Sequence, residues 1–195
     1  MLKYSYSLLA PVYDLIVSRA TLPMRKQSLE QLGDINDKSI LLAGIGTGLD
    51  IPLLPKGANY SGIDLTPAML NKARTYNKDI DLKLGNVMQL PYADQQFDIV
   101  IMHLILAIVE KPELALKEAA RVTRPGGQIL ILDKFIKPGQ VALGRRLLSL
   151  IMRHIATRTD VVFEDVLSHC PELVVSSDQH AALTSWFRCI ELKKQ

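Results

Sequence analysis

The chain has 195 residues, 48% of them hydrophobic and 22% charged, with a formal net charge of +3. That hydrophobic share supports one sizeable core and excludes a disordered chain. The weak charge, with Lys and Arg spread along the sequence, excludes a nucleic-acid binder built on a basic patch. Along the chain, residues 6–18 and 21–32 read as two amphipathic helices, parted near Thr21-Leu22-Pro23. "SILLA" (39–43) is a short apolar run ending in glycines, a buried strand, and "NYSGID" (59–64) is the next. "TPAMLNKARTYN" (66–77) reads as a helix with Thr66 as N-cap and Pro67 in its first turn. "IDLKLG" (80–85) alternates as a strand, and "FDIVIMH" (97–103) is a continuous apolar run typical of a central parallel strand. "PELALKEAARVT" (112–123) is helical, "PGG" (125–127) a turn, and "QILILD" (128–133) another buried strand. A basic helix at 140–158, a short helix at 163–169 and two strands at 172–177 and 184–192 follow.

Strand and helix alternate from Ser39 to Asp133, which predicts an α/β domain with a mostly parallel sheet and helices on both faces. No repeat and no linker divides the chain, so residues 1–195 are expected to form a single domain. Residues 1–35 would be its N-terminal helical cap and 140–170 a helical insertion after the fifth strand. Cys170 and Cys189 are far apart without metal-ligand spacing, so free thiols and no metal site are expected. The N-terminal stretch "MLKYSYSLLAPVYDLIVSRA" has Pro11, Tyr13 and Asp14 in its middle, unlike a signal peptide. No run approaches the roughly 20 apolar residues of a spanning helix. A cytoplasmic protein is the expectation.

The stretch "LLAGIGTGL" (41–49) sets Gly44, Gly46 and Gly48 directly after an apolar run. Glycine weakens strands and helices alike, so this spacing signals a close approach to the backbone. In an open parallel sheet, ligands sit beyond the carboxyl ends of the strands, where strand order reverses. Asp64 ends the following strand roughly twenty residues after Gly44, the spacing at which a carboxylate meets ribose hydroxyls. A dinucleotide and S-adenosylmethionine both contain that nucleoside. Leu49 stands where a dinucleotide fingerprint wants Gly or Ala, and Pro52 and Pro55 cut short the helix that would seat a pyrophosphate. S-adenosylmethionine has no phosphate to seat.

From Tyr13 to Asp133 the sequence resembles the class I S-adenosylmethionine-dependent methyltransferases. Within them it is most similar to the branch of ubiquinone/menaquinone C-methyltransferases and bacterial phospholipid N-methyltransferases. The resemblance rests on "YDLI", "GIGTG", "YSGIDLTPAML", "LPYADQQFDIVIMH" and "EAARVTRPGGQILILD", in that order. It implies a Rossmann-like, seven-stranded, mostly parallel sheet closed by an antiparallel terminal hairpin. It implies S-adenosyl-L-methionine as cofactor and a small, apolar, lipid- or quinone-like acceptor, with no nucleic acid. Gly44, Gly46, Thr47 and Gly48 would line the methionine part. Asp64 would hold the ribose, Leu65 would pack near the adenine, and Asn86 and Val87 would face its amino group. His103 and Leu104 would border cofactor and substrate, and Tyr13 would cover the site from the cap.

Two positions depart from the family pattern. Leu42 replaces an acidic residue two places before the first glycine, and Asn86 replaces Asp. A methyltransferase and a non-catalytic cofactor-binding or partner-regulating protein therefore both stay open. His103 is the candidate general base, weighed against a strand-end histidine bonded to its surroundings. Tyr4, Tyr6 and Tyr13 could meet a cation face-on, though packing is the commoner use. Asp133 and Lys134 read as structural, Glu110 and Glu118 as solvated charges. The segment 140–158 has four arginines and no acidic residue, so it suits either an anionic membrane surface or packing on the domain or a second subunit. A monomer and a homodimer are both compatible with the chain.

Overall fold

A computed structural model describes residues 21–76, 79–136, 161–181 and 187–195. The expected helix at 6–18, the tyrosines of the N-terminal segment including Tyr13, and the basic segment 140–158 lie outside the described residues.

The seven strands are β1 (Ser39–Ala43), β2 (Asn59–Asp64), β3 (Ile80–Leu84), β4 (Phe97–His103), β5 (Thr123–Lys134), β6 (Leu173–His180) and β7 (Phe187–Lys194). They form one sheet in the order β3-β2-β1-β4-β5-β7-β6. The pairs from β3 through β5 are parallel, and β7 runs antiparallel to both β5 and β6. Strand order reverses between β1 and β4, so the crevice beyond their carboxyl ends is the expected ligand position.

Side-chain alternation assigns the two faces. Leu41, Val100, Met102, Ile129 and Ile131 point into one core with Ala115, Leu116 and Ala119 of helix α3 (Pro112–Val122) and Phe163 of helix α4 (Phe163–Leu167). Ile40, Leu42, Ile99, Ile101 and Leu130 point into the other. That second core holds Leu29 of helix α1 (21–29), Leu32, and Leu70 and Ala73 of helix α2 (Pro67–Arg74). Each of the larger side chains (Leu, Ile, Val, Met, Phe), when fully buried, contributes roughly 1.5–3 kcal/mol relative to exposure.

Several elements differ in detail from the sequence reading. Thr66 precedes α2 as expected, but its side chain makes no cap bond; its N–H donates to Asp64 instead, at 2.8 Å. Strand β5 begins at Thr123 rather than 128, because the Pro125-Gly126-Gly127 turn is absorbed as an irregularity beside β4. Glu118 is not a solvated charge. It accepts the Leu90 N–H and grips Arg121, which also donates to the carbonyls of Leu90 and Tyr92. The Arg121 hydrogen bonds hold the Glu118 carboxyl below its ordinary range. This clamp pins the loop between β3 and β4. Lys194 Nζ donates to the carbonyls of Ala120 and Thr123, closing the end of α3.

Gly48 is the closest join between the glycine loop and α2. It has φ +85°, and a Cβ there would lie 3.0 Å from Ala73 Cα and 2.7 Å from Ile51 Cδ1. Gly126 also has positive φ, +74°, but faces open space. Gly48→Ala is therefore expected to destabilise by about 2–4 kcal/mol, combining overpacking with a left-handed backbone. Gly126→Ala should cost only about 1–2 kcal/mol. Denaturant unfolding of the two variants gives the comparison.

Candidate active site at the switch point

The loop after β1 is fastened to β2 before it turns. Gly44 and Ile45 both donate backbone N–H bonds to the Ile63 carbonyl at 2.9 Å. Gly46 N–H then donates to Asp64 Oδ2 at 3.0 Å, while Asp64 Oδ1 takes the Thr66 N–H. Burial pushes the Asp64 carboxyl upward, and the hydrogen bonds from Thr66 and Gly46 oppose that shift without cancelling it. The Thr66 hydroxyl and the Leu65 N–H also act on this carboxylate, so donors from both flanking loops gather on it. At Gly46, φ is +58° and an added Cβ would meet nothing within 4 Å. Among the described residues, nothing packs against the loop there.

The other expected site residues divide into two groups. Gly44 lies under the Ile105 side chain, and Leu65, 55% exposed, stands uncovered beside Asp64. Thr47 is buried in the loop. Asn86 turns its side-chain oxygen back to the Met88 N–H at 2.9 Å, bracing its own loop. Val87 differs from expectation: its side chain is 6% exposed and belongs to the core with Ile63, Leu90 and Tyr92. Only its backbone is left to meet an adenine. Leu104 holds φ +58°, a strained setting for a non-glycine residue, and its N–H donates to the Leu132 carbonyl at 2.7 Å.

His103 is the main correction to the sequence reading. Its side chain is 1% exposed, and both ring nitrogens are occupied. Nδ1 is 3.0 Å from Asp50 Oδ1 and Nε2 is 2.9 Å from Ser28 Oγ. Asp50 Oδ2 also pairs with Arg25 Nη1 at 2.8 Å, and Arg25 Nε donates to Thr21 Oγ1. Burial alone would raise the Asp50 carboxyl, but the His103 and Arg25 charges outweigh it and hold the group well below the usual carboxylate range. An ionised Asp50 can only accept, which places a hydrogen on Nδ1. The order Ser28–His103–Asp50 matches a nucleophile, base and acid in name only. Ser28 is 1% exposed, so no acyl group reaches it.

Arg25, Ser28 and Asp50 were missed as functional candidates. Thr21, Arg25 and Ser28 do recur at i, i+4 and i+7, a polar stripe on one helix face, and that spacing was the available signal. Asp133 behaves as expected: it is structural, taking N–H bonds from Ala107 at 3.0 Å and Lys134 at 2.8 Å. Among the described residues no cluster of potential metal ligands occurs, and no helix is long and apolar enough to cross a membrane.

The strand order and the antiparallel terminal hairpin are those of class I, S-adenosylmethionine-dependent methyltransferases. Residues 41–131 match the family model of the methyltransferase domain, and the chain is related to quinone methyltransferases and to phosphatidylethanolamine N-methyltransferase. It is 29% identical over 134 residues to phosphatidylethanolamine N-methyltransferase of Cereibacter sphaeroides, the match covering 65% of this chain and 66% of that enzyme. It is 31% identical over 131 residues to demethylmenaquinone methyltransferase of Renibacterium salmoninarum, covering 64% of this chain and 54% of that enzyme. The chain thus spans just under two thirds of the first relative and about half of the second. In structure it is similar to a Haloferax volcanii protein solved in complex with the Trm112 methyltransferase activator, with TM-score 0.78 and 17% identity over 98% of this chain and 97% of that one.

The buried Asp133 makes stability depend on pH. Burial pushes its carboxyl from 3.8 up to about 6, against the pull of its N–H partners. A folded-state value above the unfolded one means the contribution is complete below the unfolded value and is lost as pH rises through the folded one. Unfolding free energy is expected to fall by up to about 3 kcal/mol between pH 4 and pH 7, and Asp133→Asn should flatten that slope. Urea titrations at stepped pH provide the measurement.

Proposed function

We propose that the protein transfers a methyl group from S-adenosyl-L-methionine to an acceptor with an apolar, lipid- or quinone-like body. The observation that carries this reading is the open cradle at Gly46, held by Asp64 and walled by the exposed Leu65 at the β1–β4 switch point. A nucleoside fits there: Asp64 meets the ribose hydroxyls, Leu65 lies against the adenine, and the backbone of Asn86–Val87 meets its edge. Gly44, Gly46, Thr47 and Gly48 line the amino-acid part. Bound S-adenosylmethionine supplies an electrophilic methyl on a sulfonium. The protein's part is then alignment of acceptor, methyl and sulfur, which shortens the reaction by holding partners in line. His103 is not the base in this scheme, since Asp50 and Ser28 occupy its nitrogens. The acceptor class is supported by the two relatives, named for a phospholipid and a quinone precursor.

The Leu42 side chain, 1% exposed in the second core, is the observation behind the alternative of a non-catalytic binder. Transfer of labelled methyl groups into extracted phosphatidylethanolamine or demethylmenaquinone separates the two readings. Label in either lipid supports the enzyme; tight cofactor binding with no label in any lipid fraction supports the binder.

Calorimetric titration with S-adenosylhomocysteine, then with NAD, tests the site itself. Asp64→Ala is expected to weaken S-adenosylhomocysteine binding more than tenfold, since each charge-assisted bond lost is worth about 1.5–3 kcal/mol. Unchanged affinity would remove Asp64 from the site.

Gly46→Val is a second probe. Among the described residues nothing obstructs the side chain, so beyond the backbone strain of about 1–2 kcal/mol the variant probes what else approaches the loop. Loss of S-adenosylhomocysteine binding with a folded variant is the expected result, and normal binding would reduce the loop to a turn.

A further inference from the structure

The Arg25–Asp50–His103 cluster is larger than the cap helix needs for docking. Arg25 is 7% exposed, Asp50 4% and His103 6%, and they come from three elements: α1, the end of the glycine loop, and the last residue of β4. A buried ion pair that serves only as a strut gains little, because desolvation offsets most of its attraction. Its position is more telling. Leu42 of β1 pairs with Ile101 of β4 in register, and His103 lies two residues further along the same face. The cluster therefore sits one step beyond Leu42, at the crevice edge beside the glycine loop. Strand β1 brings no charge to this edge, since Leu42 and Ala43 are buried and apolar.

The charges also have unused capacity. Arg25 spends Nε on Thr21 and Nη1 on Asp50, so its Nη2 has no acceptor among the described residues. Each Asp50 oxygen has one partner and room for a second. Arg25 and Asp50 thus present one positive and one negative group 2.8 Å apart. That is the complement of an amino-acid zwitterion. Arg is suited to the carboxylate half, because its planar fork matches two oxygens at once.

We propose that Arg25, on the cap helix, binds the carboxylate of the cofactor's amino-acid end, with Asp50 and His103 as positioning residues that hold the guanidinium toward it and present a carboxylate to the ammonium. This rests on reading the crevice as an S-adenosylmethionine site. It makes the cap helix part of the cofactor site: α1, already joined to Asp50 through Arg25, supplies one of the ligand's contacts.

The test compares two probes. S-adenosylhomocysteine carries the zwitterion, while 5′-methylthioadenosine keeps the adenosine and thioether and lacks it. For Arg25→Gln, affinity for S-adenosylhomocysteine is expected to drop about tenfold or more, the size of one charge-assisted contact. Affinity for 5′-methylthioadenosine should stay within about twofold, because that probe leaves the guanidinium unused. Arg25→Lys retains the charge and the Asp50 pair without the fork. It should show the same selective loss, smaller in size, and it serves where Arg25→Gln does not fold. Equal weakening of both probes in either folded variant would make Arg25 a strut and overturn the proposal, as would no change in either. Wild-type protein that binds neither probe would overturn the site reading itself, and the proposal with it.

Discussion

The Asp64 carboxylate receives the Gly46 N–H at 3.0 Å and the Thr66 N–H at 2.8 Å, and the geometry of the whole crevice follows from those two bonds. One oxygen fixes the glycine loop after β1 and the other fixes the start of α2 after β2. The loop cannot fall back onto the sheet, and α2 cannot move away from it. Gly48, pressed against Ala73, closes the same contact from the far side. The Gly46 turn is thus held in place, at the cost of burying a carboxylate whose protonation is favoured by that burial.

A second tension runs through the cap. Hydrophobic contacts of Leu29 and Leu32 would be enough to seat α1 on the sheet, yet the helix also buries Arg25, Ser28 and Thr21. Polar groups in such a place narrow the number of acceptable arrangements, because each mismatch leaves a desolvated partner. Leu29 alone would tolerate a small slide of the helix. Arg25, tied to Asp50 on one element and Thr21 on another turn, does not. The edge of the crevice nearest the cap is thereby set by directional bonds, and the rest of the interface by area.

How much of this could be read from sequence depended on range. Strands β1, β2 and β4 fall at the bounds their apolar runs indicate, because burial on both faces leaves a short, continuous signal between glycines and polar turns. The glycine loop and Asp64 were legible because their relation is local, loop to following strand. The partners of His103 were not: Asp50 is 53 residues away and Ser28 is 75, and nothing periodic links them. His103 itself was conspicuous as the end of a long apolar strand, but its neighbours, which decide whether it titrates a substrate or braces a cap, come from the tertiary fold. Val87 misled for a related reason. A strand-end position says that a residue is near the ligand edge, while only packing says that its side chain turns inward. Glu118 looked solvated for want of Leu90 and Arg121 beside it.

The place of β7 in the sheet has a consequence for synthesis. It lies between β5 and β6, antiparallel to both, although it follows both in the chain. Until β7 emerges, β5 presents an unpaired edge and β6 has no neighbour at all. Such edges recruit strands from other chains. The nascent protein must therefore wait, half assembled, with its central parallel strands built and their flank exposed. Lys194, at the end of that last strand, then reaches back to the carbonyls that terminate α3.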